Sequence, residues 1–204
     1  MASNYKEIET KFYVRDMHQI EIQLDKLNAR LLSPRILETN YRFDTLDRKL
    51  SSNLRVLRLR QDSNQWITYK EPGASIDGIQ IRHEIEFSIS DISAARSFLE
   101  ALGFLVIQTY EKFRTVYTLV DTKIMLDELP IGNFVEIEGA DLKSINRSAN
   151  VLKLKWELKI ESTYMTIYNN YCSLNDIKPD ILSFEDIAAN NVSLESLNIF
   201  HADQ

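Results

Sequence analysis

The sequence has only one cysteine, five glycines and four prolines among its 204 residues. The lone Cys172 excludes an intrachain disulfide and a cysteine-rich zinc site, and we expect it to be a small hydrophobic residue. So few glycines and prolines leave little room for long low-complexity linkers. The chain also has no glycine-rich phosphate loop, which argues against the common nucleotide-binding folds.

Long apolar runs and an excess of positive charge are absent too. The opening MASNYKEIET does not resemble a secretory signal, and no apolar stretch approaches membrane-spanning length. The formal net charge of −6 argues against a nucleic-acid-binding surface, which would need a basic patch. We therefore expect a cytoplasmic protein, a monomer or homodimer, with no membrane or nucleic-acid partner.

What the chain does have is an ordinary globular composition, 44% hydrophobic and 26% charged, enough for one well-buried domain. Alternation and β-branched or aromatic content predict eight strands. They span roughly 5–14, 36–44, 54–61, 65–71, 79–88, 107–118, 122–128 and 133–139. Helical patterns are predicted over 15–29, 91–103, 141–153 and 161–172, with Asp91 as an N-cap and Gly103 as a C-cap.

The charged residues of these strands recur at every second position and are sorted by sign. Side chains two apart on a strand share a face, so Glu7 and Glu9 lie about 7 Å apart on the same side. Acids pair on the first, fifth and eighth strands, and bases pair on the third and sixth. The charged faces carry Glu7, Glu9, Lys11, Arg58, Arg60, Lys70, Arg82, Glu84, Glu86, Lys112, Arg114, Glu136 and Glu138, and Asp127 closes the seventh strand.

Two arrangements would explain such faces. In one, a sheet packs its apolar side on helices and leaves its charged side in water. In the other, eight antiparallel strands close into a barrel with the charges inside and the helices packed outside. Sorting by sign favours the second, an α+β fold whose interior binds something highly charged, because buried charges must be paired or engaged by a ligand. Carboxylates suit Mg²⁺ or Mn²⁺, and Arg and Lys suit phosphate.

Several of these stretches resemble the CYTH family of triphosphate tunnel metalloenzymes. Glu7-Ile-Glu-Thr-Lys11 matches its ExExK signature, and further likenesses follow in order over residues 5–172. They are LRLR (57–60), TYKEPG (68–73), RHEIEF (82–87), KFR (112–114), LDEL (126–129) and GNFVEIEG (132–139). The resemblance implies an eight-stranded antiparallel triphosphate tunnel, open at both ends, over residues 1–175, followed by a C-terminal extension at 176–204.

The resemblance also implies roles for the charged residues, with Mg²⁺ or Mn²⁺ as cofactor and a small-molecule triphosphate as substrate. The expected metal ligands are Glu7, Glu9, Asp127, Glu136 and Glu138. The expected substrate-binding residues are Lys11, Arg58, Arg60, Lys70, Arg82, Lys112 and Arg114. The expected catalytic residues are Glu7, Glu9 and Lys11. Glu84 and Glu86 match tunnel acids whose role the resemblance does not fix.

The shared motifs leave the reaction open. RFDT, LRLRQ and LDELPIGNFVEIEG are most similar to the class IV adenylate cyclase branch, which converts ATP to cyclic AMP and pyrophosphate. The alternative is a triphosphatase acting on tripolyphosphate, thiamine triphosphate or a nucleoside triphosphate. A non-catalytic polyphosphate or nucleotide sensor and an ordinary sandwich acting as an interaction module are weaker alternatives.

Other residues are given structural roles. His83 shares a face with Ile81 and Ile85 and is expected to pack under a helix. The helical spacing of Tyr164, Tyr168 and Tyr171 indicates packing rather than chemistry. Arg42 is a secondary candidate for phosphate or nucleotide contact. The stretch SLESLNIF (193–200) is expected to form a short terminal helix.

Overall fold

The computed structural model describes residues 6–77, 79–178, 181–187 and 192–203. Its strands are β1 (Lys6–Val14), β2 (Arg30–Asp44), β3 (Val56–Gln61), β4 (Gln65–Lys70), β5 (Ala74–Ile76), β6 (Ile79–Ser88), β7 (Leu105–Leu119), β8 (Thr122–Leu129), β9 (Gly132–Gly139), β10 (Lys159–Ile160) and β11 (Ile181–Leu182). Its α-helices are α1 (Met17–Lys26), α2 (Lys49–Ser52), α3 (Ile92–Ala101), α4 (Leu142–Val151), α5 (Tyr164–Asn175) and α6 (Phe184–Ile187).

Eight of the strands form a closed antiparallel ring. Their order is β1-β9-β8-β7-β2-β3-β4-β6, and β6 returns to pair with β1. The short β5 and β10 add antiparallel pairs to β6 and β1, and β11 pairs parallel with β7. This ring with its helices confirms the predicted α+β class and the eight antiparallel strands.

Strand β2 differs most from its predicted bounds, beginning at Arg30 rather than at residue 36. Pro34 interrupts the alternation and has no N–H to donate to a partner strand. The pairing with β7 shifts register between Ser33 and Ile36, so the proline sits at an irregularity in the ladder. A bulge of this kind lets the strand continue past a residue that normally ends one.

The outer face of the ring packs against helices on two sides. Outward-facing Phe12 and Val135 share a core with Leu24 of α1 and Ile145 of α4. On the opposite side, Leu59 of β3 packs with Leu99 of α3 in a second core. The helix ends are capped as expected for their sequences: the carboxylate of Asp91 accepts hydrogen bonds from two backbone amides of α3, and Gly103 has φ +88° just past that helix.

Helix α5 lies against the upper end of the ring, which we define as the end where β1 and β2 finish and β3 begins. Tyr13 and Phe134 are register partners that face the interior there, and the ring of Phe134 packs edge-on against Tyr164 with centroids 5.0 Å apart. Tyr168, Tyr171 and the free Cys172 lie in the same buried cluster. The helix therefore fills part of the upper end, where the resemblance implied an opening.

The described part of the C-terminal extension folds back onto the start of the chain. The backbone N–H of Ala202 donates to the carbonyl of Tyr13 at 2.8 Å, and Asp203 accepts the backbone N–H of Asp16 at 2.9 Å. The short helix predicted over 193–200 is confined to a 3₁₀ helix at Glu195–Leu197, and Asn198 ends it in the left-handed region. Within the described residues, no helix is both long and apolar enough to cross a membrane.

Candidate active site

The interior of the ring is a single large cavity of about 1250 Å³. Every charged residue assigned to the site from the sequence lines it except Asp127. The lining set comprises Glu7, Glu9, Lys11, Arg58, Arg60, Lys70, Arg82, Lys112, Arg114, Glu136 and Glu138. The interior arrangement of the charges is thereby confirmed over the solvated-sheet alternative, because alternate residues of all eight ring strands point to one enclosed side.

Strand register places acids and bases of this set opposite one another. Across β1 and β9, Lys11 faces Glu136, and Glu9 faces Glu138. Lys11 is only 2% exposed, with its Nζ 3.7 Å from Oε1 of Glu136. The Glu9–Glu138 pair places like charges directly opposite, which costs stability unless a cation lies nearby.

The most buried ion pairs surround Asp127. Its carboxylate, 0% exposed, accepts hydrogen bonds from Nζ of Lys112 at 3.1 Å and Nε of Arg114 at 2.6 Å. The hydroxyl of Tyr164 donates a further bond to it at 2.9 Å. Burial alone would raise the pKa of Asp127, but Arg114 and Lys112 outweigh it and hold that pKa well below its usual range. In this arrangement Asp127 fixes two expected phosphate binders, and its role as a metal ligand stays a prediction.

A second group of ion pairs lies where β1 meets β6. Lys70 contacts both Glu7 at 2.8 Å and Glu84 at 3.1 Å, while Arg82 contacts Glu9 at 3.1 Å. Burial raises the pKa of Glu7, the hydrogen bond to Glu84 raises it further, and Lys70 opposes both effects. Glu7 and Glu84 thus share one cation, the ammonium group of Lys70.

The third group contains the paired bases of β3. Arg58 and Arg60 both reach Glu86, at 3.5 Å and 3.3 Å, and Thr68 donates to the same carboxylate at 2.6 Å. Arg58 also donates to the hydroxyl of Tyr110 at 3.3 Å. Burial would raise the pKa of Tyr110, but the cations around it, Arg58 first, lower it below the ordinary value.

The carboxylates expected to bind a metal can be compared with the positions that they take in the cavity. Within the described ranges, no group of three or more His, Cys, Asp or Glu side chains is arranged to hold an ion. The acids are instead drawn to neighbouring bases, as in the Lys123–Glu138 pair at 3.3 Å. The donor chemistry still fits a hard cation, because Glu7, Glu9, Glu136 and Glu138 supply carboxylate oxygens to one cavity from adjacent strands.

Some residues that contribute to these ion-pair groups were not assigned from the sequence, among them Glu38, Tyr110 and Tyr164. Glu38 is 3.4 Å from Nζ of Lys112 and could have been found by parity, since it shares a strand face with Arg42. Tyr110 lies two residues before Lys112 on the same face of β7 and could also have been found by parity. Tyr164 was interpreted as packing; it does pack, but it also reaches the cavity and Asp127. No local pattern signals that contact, because it depends on where α5 docks.

His83 does not pack under a helix, contrary to prediction. Its side chain is 44% exposed, with Nδ1 3.7 Å from a carboxylate oxygen of Glu71. Ile85 and Phe87 on the same outer face of β6 are also exposed. The parity was right, but on the described chain no helix covers this part of the ring.

Comparison with known proteins agrees with this architecture. A Methanocaldococcus jannaschii protein named "Putative adenylate cyclase" is 32% identical over 155 residues, which cover 74% of this chain and 86% of the relative. A solved structure from Pyrococcus horikoshii superposes with a TM-score of 0.64 at 26% identity, covering 78% of this chain and 96% of that one. A Hippeastrum "putative adenylyl cyclase", described as revealing a dominant triphosphatase activity, gives a TM-score of 0.61 at 18% identity and covers 80% and 95% of the two chains.

A closed ring of strands with acids and bases sorted inside it defines a charged tunnel. Residues 5–161 match the CYTH domain family, and the chain belongs to that family.

Proposed function

We propose that the protein is an enzyme that binds a triphosphate inside the ring with Mg²⁺ or Mn²⁺ and converts ATP to cyclic AMP and pyrophosphate. The observation that carries this is the enclosure of the predicted acids and bases in one cavity. A pure anion binder would gain nothing from the lining carboxylates, whereas an enzyme that binds a triphosphate with metal needs both signs of charge. The name of the 32% identical relative supports the same activity.

In cyclisation the ribose 3′-hydroxyl oxygen attacks the α-phosphorus and its proton passes to solvent. The bond from the α-phosphorus to the oxygen bridging to the β-phosphate breaks. The leaving pyrophosphate gains negative charge, and cations positioned beforehand stabilise it. Arg58, Lys112 and Arg114 are held by acids or hydroxyls from several directions, so they need little reorganisation to meet that charge. Lys11, enclosed beside Glu136, supplies another fixed positive charge.

The metal would be held by the carboxylates of Glu7, Glu9, Glu136 and Glu138. When bound, a divalent cation neutralises phosphate charge and lowers the pKa of an attacking hydroxyl or water. The entry of all four carboxylates into one cavity from the adjacent strands β1 and β9 supports this location.

Triphosphatase activity is the second candidate. In that reaction water attacks the terminal phosphorus, and little beyond the triphosphate need be recognised. The Hippeastrum protein, which shares the fold, is described as mainly a triphosphatase. The interior of this chain is lined with charge on every side, which suits a substrate made only of phosphate.

A product assay separates the candidates. Purified protein is incubated with ATP and with tripolyphosphate, each with Mg²⁺ and with Mn²⁺, and cyclic AMP, pyrophosphate and orthophosphate are measured. Cyclic AMP with equimolar pyrophosphate supports the cyclase. Orthophosphate from tripolyphosphate with no cyclic AMP from ATP overturns it in favour of the triphosphatase. Tight binding of tripolyphosphate with neither product would instead identify a sensor.

Matched variants tie any activity to the cavity. Lys112→Ala should abolish turnover, because Lys112 is among the enclosed cations. Arg147→Gln removes the same charge from the outer surface, where Arg147 pairs with Asp121 at 2.8 Å, and should leave turnover unchanged. Equal activity in both variants would mean that the reaction occurs elsewhere.

A further inference from the structure

Three arginines at the upper end of the cavity contact no carboxylate among the residues that the structure describes. Arg42 lies near the end of β2, Arg48 just before α2, and Arg55 just before β3, and all three line the cavity. Within the described chain, their guanidinium groups make no hydrogen bond or ion pair. The expected phosphate binders differ, because each of them contacts at least one carboxylate in the ring.

Arg42 is placed where a lone cation is costly. It lies directly opposite Arg58 across the β2–β3 ladder, and like charges in that position repel. Burial lowers the pKa of Arg42, the nearby Arg58 lowers it too, and Tyr110 and Asp44 partly oppose them. An anion bound between the two arginines would relieve both the repulsion and the cost of burial.

The acid closest to Arg42 along the chain, Asp44, is not available to pair with it. Asp44 is 0% exposed, and its carboxylate accepts hydrogen bonds from the backbone amides of Thr45, Leu50 and Ser51, each at 2.8 Å. The hydroxyl of Ser51 donates to it as well. These bonds occupy the Asp44 oxygens and fix the connection that carries Arg48 and Arg55.

We propose that Arg42, Arg48 and Arg55 form a second anion subsite, which takes a phosphoryl group lying beyond the three phosphates of the substrate. The planar guanidinium forks match phosphate as well as carboxylate oxygens, and a substrate that carries phosphates makes a phosphoryl group the expected anion. This proposal rests on the proposed function, which places the triphosphate next to Arg58. The additional phosphoryl group would be either the fourth unit of a linear polyphosphate or a phosphate on the sugar of a nucleotide.

The distances along the strand agree with an extended ligand. Arg42 is four residues from Glu38, which contacts Lys112, so the subsite lies roughly 13 Å along β2 from the Lys112 cluster. Arg60, the register partner of Asn40, lies between them on the neighbouring strand. A continuous series of cations thus runs from the enclosed centre of the ring to the upper end.

Binding measured by calorimetry without divalent metal tests the subsite independently of turnover. The probes are tripolyphosphate against tetrapolyphosphate, and ATP against ATP carrying a 3′-phosphate. In the unmodified protein at least one of the two larger ligands should bind about tenfold more tightly than its smaller counterpart, as one charge-assisted contact would give. The pair that shows the preference identifies the source of the extra phosphoryl group.

Arg48→Gln and Arg55→Gln should each reduce that preference to below about threefold, whereas Arg147→Gln, an equal loss of charge on the outer surface, should preserve it. Arg42→Gln provides a third variant from within the ring. A ratio near one for both ligand pairs, or a ratio unchanged in all three subsite variants, would overturn the subsite. A preserved preference without turnover of any triphosphate would overturn the proposed function and leave the subsite supported. Failure of tripolyphosphate itself to bind would overturn both.

Discussion

Replacing Asp127 with asparagine should destabilise the protein more than any surface charge change. The carboxylate is fully buried and holds Lys112, Arg114 and Tyr164. Asparagine keeps the shape but removes the charge, which leaves two enclosed cations short of a partner. Breaking a buried ion pair from one side costs about 3–5 kcal/mol. For a chain of this length that loss lowers the melting temperature by roughly 6–20 °C.

Denaturant unfolding followed by circular dichroism measures this loss, with Asp121→Asn as the matched control. Asp121 pairs with Arg147 on the surface, where its side chain is 49% exposed, and such a pair is worth about 0–1 kcal/mol. Equal losses in the two variants would refute the structural role of Asp127. An increase in the stability of Asp127→Asn would also refute this role. It would instead indicate a metal ligand in an acidic cluster, because removing one negative charge from such a cluster relieves repulsion when no metal is bound.

The difference in unfolding free energy between the unmodified protein and Asp127→Asn should depend on pH in a definite direction. The folded-state pKa of Asp127 lies below the ordinary value of about 3.9. Its contribution is therefore fully present at neutral pH and declines as the pH falls from about 5 toward the folded pKa. The gap between the unmodified protein and Asp127→Asn should be constant from pH 7 to 5 and shrink below that. A gap that shrinks with rising pH would contradict the assignment.

Three further changes have definite expectations. Glu9→Gln should abolish metal-dependent turnover with the fold intact, because it removes one of the opposed carboxylates of β1 and β9. Activity measured across a Mn²⁺ titration, together with a melting curve, checks this, and normal activity would contradict it. Arg58→Ala should weaken tripolyphosphate binding roughly ten- to a hundredfold, since charged hydrogen bonds contribute about 1.5–3 kcal/mol. Calorimetry with a non-reactive metal measures the affinity, and an unchanged affinity would place Arg58 away from the phosphates. Asp44→Ala should lower the free energy of unfolding by about 2 kcal/mol, because three backbone amides lose their acceptor; a loss below about 0.5 kcal/mol in urea unfolding would show that water replaces the carboxylate.

Strand parity was enough to predict which side chains enter the ring. Glu9, Lys112 and Glu136 all line the cavity because a strand has a period of two and a closed ring has only one inside. The same rule placed His83 correctly on the outside, but the alternation of one strand carries no information on which helices cover it.

What the sequence could not supply depends on tertiary placement. Tyr164 has the helical spacing of a packing residue, and only the docking of α5 against the upper end brings its hydroxyl to Asp127. Glu38 was readable by parity but had no motif to draw attention to it. The ion-pair partners of Asp127 likewise follow from how β7 and β8 are registered, which alternation does not determine.

Ring closure has a consequence for how the chain is made. β1 pairs with β9, and roughly 120 residues separate the end of one from the start of the other. At ribosomal rates of about 5–20 residues per second, the N-terminal strand waits roughly 6–24 s before that partner exists. During that time its alternate charges Glu7, Glu9 and Lys11 discourage edge-to-edge pairing with other nascent chains. The residues that line the finished tunnel thus also protect the strand during synthesis.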